Sequence, residues 1–363
     1  MFGGVIPIVS KSIHEQNLPI LLDESLAESN LEIRDISAIG ITYGPGLAPC
    51  LNSGVKFARE LSIRNNLPLI PVHHMEAHAL MPLLTDKNIS FPFLSVLMSG
   101  GHALIGVFKN INEFYLLGST IDIAPGEVFD KIGRIMGLRT ILDDRYAKSS
   151  YGHTMQEIAL NYSSKLMRDF PIPGKEKRTC DMSFSGILPA FSKVLSQGSQ
   201  GFSLEEKANL CLSLQYIICK IISTRVNRCL LFCKNYSHHL FPEEQEFKIR
   251  HIVLSGGVAA NKFLQTSLNS LARDFSQDYN YPITLSYPPT KYCTDNGVMI
   301  AWNALLKMEE KRQDAFLDPN ALDFYPKLPL GIDSRHLIEK CNIKSKVNLA
   351  SLFQEIIAKK KFH

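Results

Sequence analysis

Apolar residues along this chain fall into two patterns, short continuous runs and longer stretches with a helical period. The runs Ile36–Tyr43, Leu69–Val72, Phe93–Met98, Ala103–Phe108, Phe114–Ser119, Arg250–Leu254 and Ile283–Ser286 are strand-length and bounded by turn residues. Between them lie helical stretches. Ser10–Ser29 carries the stripe Ile13, Leu18, Leu21, Leu22 and Leu26, with Pro19 predicting a kink or break. Further helices are predicted from about Asn52 to Arg64, near Thr154 to Met167, and over the long apolar stretch Leu204–Lys234. Thr140–Lys177 is otherwise polar and irregular. The alternation of strands and helices predicts an α/β protein.

The order of elements repeats. Ile36–Arg59 and Ile249–Leu271 each read as apolar strand, Gly-containing turn and amphipathic helix. Each is followed by a short strand and then by a helix with metal-ligand chemistry. In the first case His74 and His78 stand four apart, on one helix face. In the second, Asp295 opens the helix that runs to about Leu306. A duplicated fold would put these elements in pseudo-symmetric halves facing one cleft. Taken alone, the His pair suits a polar helix face as well as a metal site, and Asp295 suits a helix cap. Glu76 lies in the middle of the pair, unlike the zinc-peptidase pattern, whose Glu directly follows the first His.

Composition narrows the class. The 363 residues suit two domains, and 45% hydrophobic with 20% charged residues is ordinary for a soluble globular chain. A net charge of +4 permits an acidic partner without demanding one. The charge run Lys175-Glu176-Lys177-Arg178 reads as a solvated loop or as a contact for an RNA backbone. Eight cysteines lack any C-x-x-C pair, and the four at positions 211, 219, 229 and 233 share one helical stretch, so buried reduced thiols are expected. No apolar run reaches the length of a membrane span, and no targeting peptide is visible at Met1–Pro7.

Six motifs occur in order: His73-His74-Met75-Glu76-Ala77-His78, Ser99-Gly100-Gly101-His102, Pro125-Gly126-Glu127-Val128-Phe129-Asp130-Lys131, Ser183-Phe184-Ser185-Gly186, Ser255-Gly256-Gly257-Val258-Ala259-Ala260-Asn261 and Cys293-Thr294-Asp295-Asn296-Gly297. Together they resemble the tRNA N6-adenosine threonylcarbamoyltransferases, once described as O-sialoglycoprotein endopeptidases, and the likeness covers nearly the whole chain. The segments Asp122–Gly126 and Pro329–Asp333 are similar to mitochondrial members from animals.

The resemblance implies a duplicated actin-like, sugar-kinase-like fold, with a first lobe from 1–90 plus 301–363 and a second from 91–300. It implies one divalent metal ion, iron or zinc, on His74, His78 and Asp295. Leu97, Met98, Ser99, Gly100 and Gly101 would form a phosphate loop, Asp130 would contact a ribose, Gly152 would line the nucleotide pocket, and Asn261 would hold base or ribose. The implied reaction moves a threonylcarbamoyl group from threonylcarbamoyl-adenylate to N6 of the adenosine 3′ of the anticodon in tRNA. A mitochondrial location and a homodimer are compatible with the resemblance.

Three features depart from the family pattern. Ala103-Leu104 stand where bacterial members have Thr-Gln, and Tyr151-Gly152-His153 stands nearest to their Pro-Gly-Gly-Pro segment. The chain also opens just after the family's first strands and Glu-Thr-Ser-Cys-Asp-type loop, so an incomplete first lobe with low activity, an actin-like module without turnover, is expected. A metallopeptidase is the other alternative.

Overall fold

The computed structural model describes residues 6–138, 149–197, 201–242, 248–310 and 316–360; the expectation for 140–148 lies outside them. In chain order the elements begin α1 (Pro7–Ser29), β1 (Ile39–Gly44), α2 (Ala48–Asn65), β2 (Leu69–His73), α3 (His74–Leu80) and α4 (Pro82–Thr85). Next come β3 (Phe93–Met98), β4 (Ala103–Asn110), β5 (Glu113–Ser119), α5 (Pro125–Ile135), α6 (Tyr151–Tyr162), α7 (Ile187–Ser196) and α8 (Leu204–Tyr236). The chain continues with β6 (His251–Ser255), α9 (Lys262–Tyr279), β7 (Thr284–Ser286), α10 (Gly297–Glu309), β8 (Ile332–Asp333), α11 (Arg335–Cys341) and α12 (Ala350–Lys360). Two compact units result, residues 1–84 with 295–330 and residues 85–294 with 331–363.

The first unit holds a two-stranded parallel sheet in which Ile39 pairs with Leu69 and Thr42 with Val72. A Cβ on Gly40 would stand 2.9 Å from Ala304 Cβ of α10, while Gly54 of α2 lies against Ile41. Successive strand residues point to opposite faces, so α10 and α2 cover opposite sides of β1. Val55, Ala58, Leu69 and Leu322 form the buried centre, with Ile39, Ile41, Tyr43 and Phe324 packed around it. Helix α1 runs unbroken through Pro19. Of its predicted stripe only Leu18, Leu22 and Leu26 are partly buried, whereas Ile13 and Leu21 are exposed. Its Glu15 accepts a hydrogen bond from Ser53 of α2 at 3.0 Å. The Gly44-Pro45-Gly46 turn serves packing: a Cβ on Gly44 would collide with the Tyr325 carbonyl, and Tyr325 N–H donates to Tyr43 O at 2.8 Å.

The second unit is built on a six-stranded mixed sheet in the order β7-β6-β3-β4-β5-β8. The hairpin predicted at the Ser99–His102 turn forms, with Met98 opposite Ala103. Helix α8 opens on a reciprocal capping box, in which Ser203 Oγ accepts from Glu206 N–H at 3.2 Å and Glu206 accepts from Ser203 N–H at 2.8 Å. Residues 331–360 pack here, not with the first unit as expected: Ile338, Leu349, Phe353 and Ile357 join this core, and Phe353 stacks on Phe263 at 5.0 Å. Apolar burial, invisible in sequence order, decides that assignment.

The repeat is real in the backbone. β1–α2–β2 and β6–α9–β7 are both strand–helix–strand units with parallel pairing. Both helices are 18 residues long and both end on an Asn in the left-handed region, Asn66 at φ 52 and Asn280 at φ 47. The symmetry ends after the short second strand. Asp295 and α10 belong to the same unit as His74 and His78, instead of the opposite half.

Ser183-Phe184-Ser185-Gly186 acts as a clamp on Asp122. That carboxylate accepts from Ser183 Oγ at 2.6 Å, Phe184 N–H at 2.9 Å and Ser185 Oγ at 2.8 Å. Partial burial opposes its charge, but these bonds and the Ile123 N–H outweigh burial and hold the carboxyl below the usual range. A carboxyl with a lowered folded pKa contributes stability above its unfolded value of about 4, and that contribution is lost as pH falls through the folded value. Asp122→Asn should therefore destabilise the chain at pH 7 and show a shallower further loss between about pH 5 and pH 3 than the parent. Urea unfolding at stepped pH measures this, and parallel acid limbs would contradict it.

The eight cysteines are all unpaired, as expected, and six are buried. Burial pushes the Cys219 thiol up to about 12 and Cys293 to about 11, and raises Cys211 and Cys233 further. Thiolate is the reactive form. In native protein at pH 8, alkylation should reach Cys50 and then Cys341, sparing the other six until denaturant is added; peptide mapping would report it.

Candidate metal centre and nucleotide pocket

Three histidines cluster at the start of α3, and the structure separates their roles. His73 is the N-cap: its Nδ1 accepts from Met75 N–H at 3.2 Å, and its Nε2 faces the Leu328 carbonyl at 3.1 Å. His74 and His78 stand one turn apart with ring centroids at 4.8 Å. Asp295 is not a cap. Asn296 takes that position, accepting from Met299 N–H at 2.9 Å, and leaves Asp295 just outside α10 with its carboxylate facing α3.

The donor atoms converge. Asp295 Oδ1 lies 2.9 Å from His78 Nε2 and 3.6 Å from His74 Nε2, and all three ligand atoms lie within 4.8 Å of one another. Donors bound to one ion at about 2.0–2.1 Å stand about 2.9–3.4 Å apart at octahedral or tetrahedral angles, so the triad needs only small ring rotations. His78 is 2% exposed, and among the described residues its buried Nδ1 has no hydrogen-bond partner, so the ring's polarity is directed through Nε2 toward Asp295. Two imidazoles and a carboxylate suit zinc or iron(II) and leave coordination positions open. The residues present therefore fit a divalent ion.

Glu76 turns away from this point. It pairs with Lys307 at 3.1 Å and accepts from Asn303 at 2.9 Å, with side-chain exposures of 14% for Glu76 and 17% for Lys307. Lys307 also donates to the Pro71 carbonyl at 3.3 Å, and Trp302 donates to Leu80 O at 3.1 Å. These bonds lock α3 to α10 and so set the distance from Asp295 to the two histidines. The Glu76 charge, after burial, raises the Tyr43 phenol. The Glu76 carboxylate is thus committed to α10.

Within the second unit, a cavity of about 190 Å³ is walled by the first turns of α5 and α6 and the turn after β6. Gly100, Asp130, Gly152 and Asn261 line it together, although they are far apart in sequence. Leu97 and Met98 do not reach it as side chains, being 1% and 0% exposed in β3. Ser99 and Gly101 are not in the lining; Ser99 closes the hairpin, its Oγ accepting from His102 N–H at 2.9 Å. Asn261 is committed at both ends, its Oδ1 accepting from Leu264 N–H at 3.1 Å and its Nδ2 donating to Gln215 at 2.8 Å.

Sequence reasoning missed Gly126, Phe129, Gln156 and Gly257 as lining residues. A Cβ on Gly126 would stand 2.7 Å from Gly100 Cα, so only glycine lets α5 approach the hairpin turn. Gly256, at φ +86, would strike the Met98 carbonyl with any side chain. The recurring glycines were the available signal; which backbone each one meets was not. Two helix N-termini aimed at one space favour an anion there.

Purified chain should carry one divalent ion, and His74→Ala, His78→Ala or Asp295→Ala should each abolish its retention by elemental analysis. Lys307→Met leaves Glu76 without its partner and should cost on the order of 2–3 kcal/mol of stability, somewhat less than a fully buried pair, and weaken metal retention. Full metal content in the Asp295 variant would remove that residue from the centre.

The family model for tRNA N6-adenosine threonylcarbamoyltransferase matches residues 1–302. The human mitochondrial protein of that name is 33% identical over 348 residues, covering 94% of this chain and 80% of its own length. A Francisella philomiragia protein of that name is 34% identical over 323 residues, covering 88% of this chain and 86% of its own length. Among solved structures, T. kodakarensis HypF aligns with a TM-score of 0.45 at 13% identity over 77% of this chain and 42% of that one. The Acidaminococcus fermentans (R)-2-hydroxyglutaryl-CoA dehydratase component A aligns at 0.41 with 15% identity over 80% and 82%. Scores this low do not bear on the fold. On the family match and the sequence identities over most of its length, the chain belongs to the tRNA N6-adenosine threonylcarbamoyltransferase family.

Proposed function

We propose that this chain transfers a threonylcarbamoyl group from threonylcarbamoyl-adenylate to N6 of the adenosine 3′ of the anticodon in tRNA, releasing AMP. The convergence of His74, His78 and Asp295 in a member of this family carries the reading. A divalent ion held there, zinc or iron, would act as a Lewis acid toward carbamoyl or phosphate oxygens. The duplicated strand–helix–strand units support an actin-like, sugar-kinase-like architecture.

The chain's own residues supply binding and orientation. An adenine N6 amine is a weak nucleophile, so alignment of the two reactants matters more than a strong base. In the second unit, Gly100 and the first turns of α5 and α6 present N–H groups and helix dipoles to a phosphate. Asp130 supplies an acceptor for ribose hydroxyls, and Gly152 leaves room for the nucleoside. Asn261 acts as a positioning residue, holding the start of α9 as a pocket wall. A mitochondrial site of action belongs to the reading, supported by the names of the animal and plant relatives. Among the described residues no helix is long and apolar enough to cross a membrane.

Incubation with unmodified tRNA transcript and threonylcarbamoyl-adenylate should yield the modified nucleoside and AMP. Removing a charged acceptor for substrate costs about 1.5–3 kcal/mol, so Asp130→Asn should lower kcat/KM about tenfold to a hundredfold. Absence of product from metal-loaded protein would refute the assignment, and an unchanged Asp130→Asn rate would remove that residue from the pocket's chemistry.

A further inference from the structure

A further large cavity of the second unit belongs to neither candidate site. It has a volume of about 790 Å³ and lies between the 172–178 loop, the middle of α8 and the 344–348 segment. Seven of its lining residues are lysine or arginine and one, Glu176, is acidic. Lys175, Arg178, Lys344 and Lys346 form an exposed rim. A second cavity of about 760 Å³, bearing Lys165, Arg168 and the acidic Asp169, shares Ile172, Lys175 and Tyr216 with the first. The two make one continuous groove.

The floor of this groove is unusual. Arg225 and Arg228 are 3% and 2% exposed, where arginines are normally paired with carboxylates. Here they bond to backbone carbonyls instead. Arg225 donates to Gly174 O at 2.6 Å, Lys177 O at 3.0 Å and Asp181 O at 2.9 Å, and Arg228 donates to Ile343 O at 3.0 Å and to Thr179 O. Carbonyls satisfy the N–H groups without cancelling the charge. Among the described residues none of the groove's lysines and arginines forms an ion pair with a carboxylate. Burial, and then the nearby Lys175, lower the Lys220 pKa, as crowding of like charge requires. The groove thus holds an excess of fixed positive charge, nine lysines and arginines against Glu176 and Asp169, under low-dielectric walls that focus its field.

We propose that this groove binds the phosphodiester backbone of RNA, and that it docks a part of the tRNA away from the reacting adenosine. A small anion would need one or two cations; a groove continuous over two cavities, with Tyr216 at the join and apolar walls from Ile172, Pro173 and Val347, suits a chain of phosphates with stackable bases. The charge run 175–178 has its place here as a rim. The identity of the RNA as tRNA rests on the function proposed above, whereas the groove's affinity for RNA does not.

The test uses the full chain and an unmodified tRNA transcript, with binding measured from about 50 to 300 mM salt. The groove variant carries Lys175→Glu, Arg178→Glu, Lys344→Glu and Lys346→Glu, all exposed positions. A control carries Lys56→Glu, Arg64→Glu, Lys87→Glu and Arg273→Glu, the same change in net charge elsewhere. Each phosphate contact contributes about 0.7–0.9 to the salt slope, so the groove variant should lose affinity more than tenfold and its slope should fall by about 3. The control should keep both. Photocrosslinking of 4-thiouridine-substituted tRNA to the parent should label peptides spanning 165–178 and 344–348. Equal losses in both variants, an unchanged groove variant, or selective binding of polyglutamate instead of RNA would overturn the proposal. If the parent binds RNA through the groove yet transfers no threonylcarbamoyl group, the groove stands and the proposed reaction falls.

Discussion

The ion pair between Glu76 and Lys307 is the contact on which the candidate metal centre depends. Its partners are more than two hundred residues apart in sequence, and each carries helices that bear ligands, α3 with both histidines and α10 with Asp295 just ahead of its cap. A charged pair at this depth gains little net stability from being charged, since desolvation offsets much of the attraction. What it supplies is register. With Asn303 and the Pro71 carbonyl as further partners, and with Trp302 donating to Leu80 O alongside, Lys307 and Glu76 allow one seating of α10 against α3. That seating brings a carboxylate oxygen to 2.9 Å from His78. An apolar pair of similar volume would pack as well but would tolerate sliding along the helix axis.

The second unit solves its positioning problem with close backbone approach. The candidate nucleotide pocket exists because α5 can start almost in contact with the Ser99–His102 turn, which the missing side chain of Gly126 permits. The entry of α5 is set by Asp122, gripped by the Ser-Phe-Ser-Gly segment through three hydrogen bonds. Several motifs that look like independent signatures in the sequence are therefore one mechanical assembly. The clamp positions the helix, the helix positions its N–H groups, and glycine allows the distance.

Charge is distributed by the same logic. A formal excess of +4 is too small to suggest any partner, and the basic residues look scattered along the chain. Folding gathers them: loop 172–178, α8 and segment 344–348 bring seven cations and a single carboxylate to one cavity. Net charge averages over the molecule, while binding responds to the local field.

The amino-acid sequence by itself determined the elements and much of their chemistry. Short apolar runs became strands, the repeat reappeared as two parallel strand–helix–strand units, and His74, His78 and Asp295 met within ligand distance. Those features are local, or are carried by motifs that point to one chemistry only when several occur in order. Tertiary structure decided what depends on contact between distant segments. Asn296 is the cap of α10, its Oδ1 accepting from Met299 N–H, while the Asp295 carboxylate lies beside His78. Asp295 joined the histidines' own unit, and the tail from Gly331 joined the other, because packing assigns a segment to whichever core buries its apolar face. Leu97 and Met98 went into β3 as core, while Gly126, Phe129 and Gln156 entered the pocket lining. Periodicity along one element states which face is apolar; it is silent about what that face will meet.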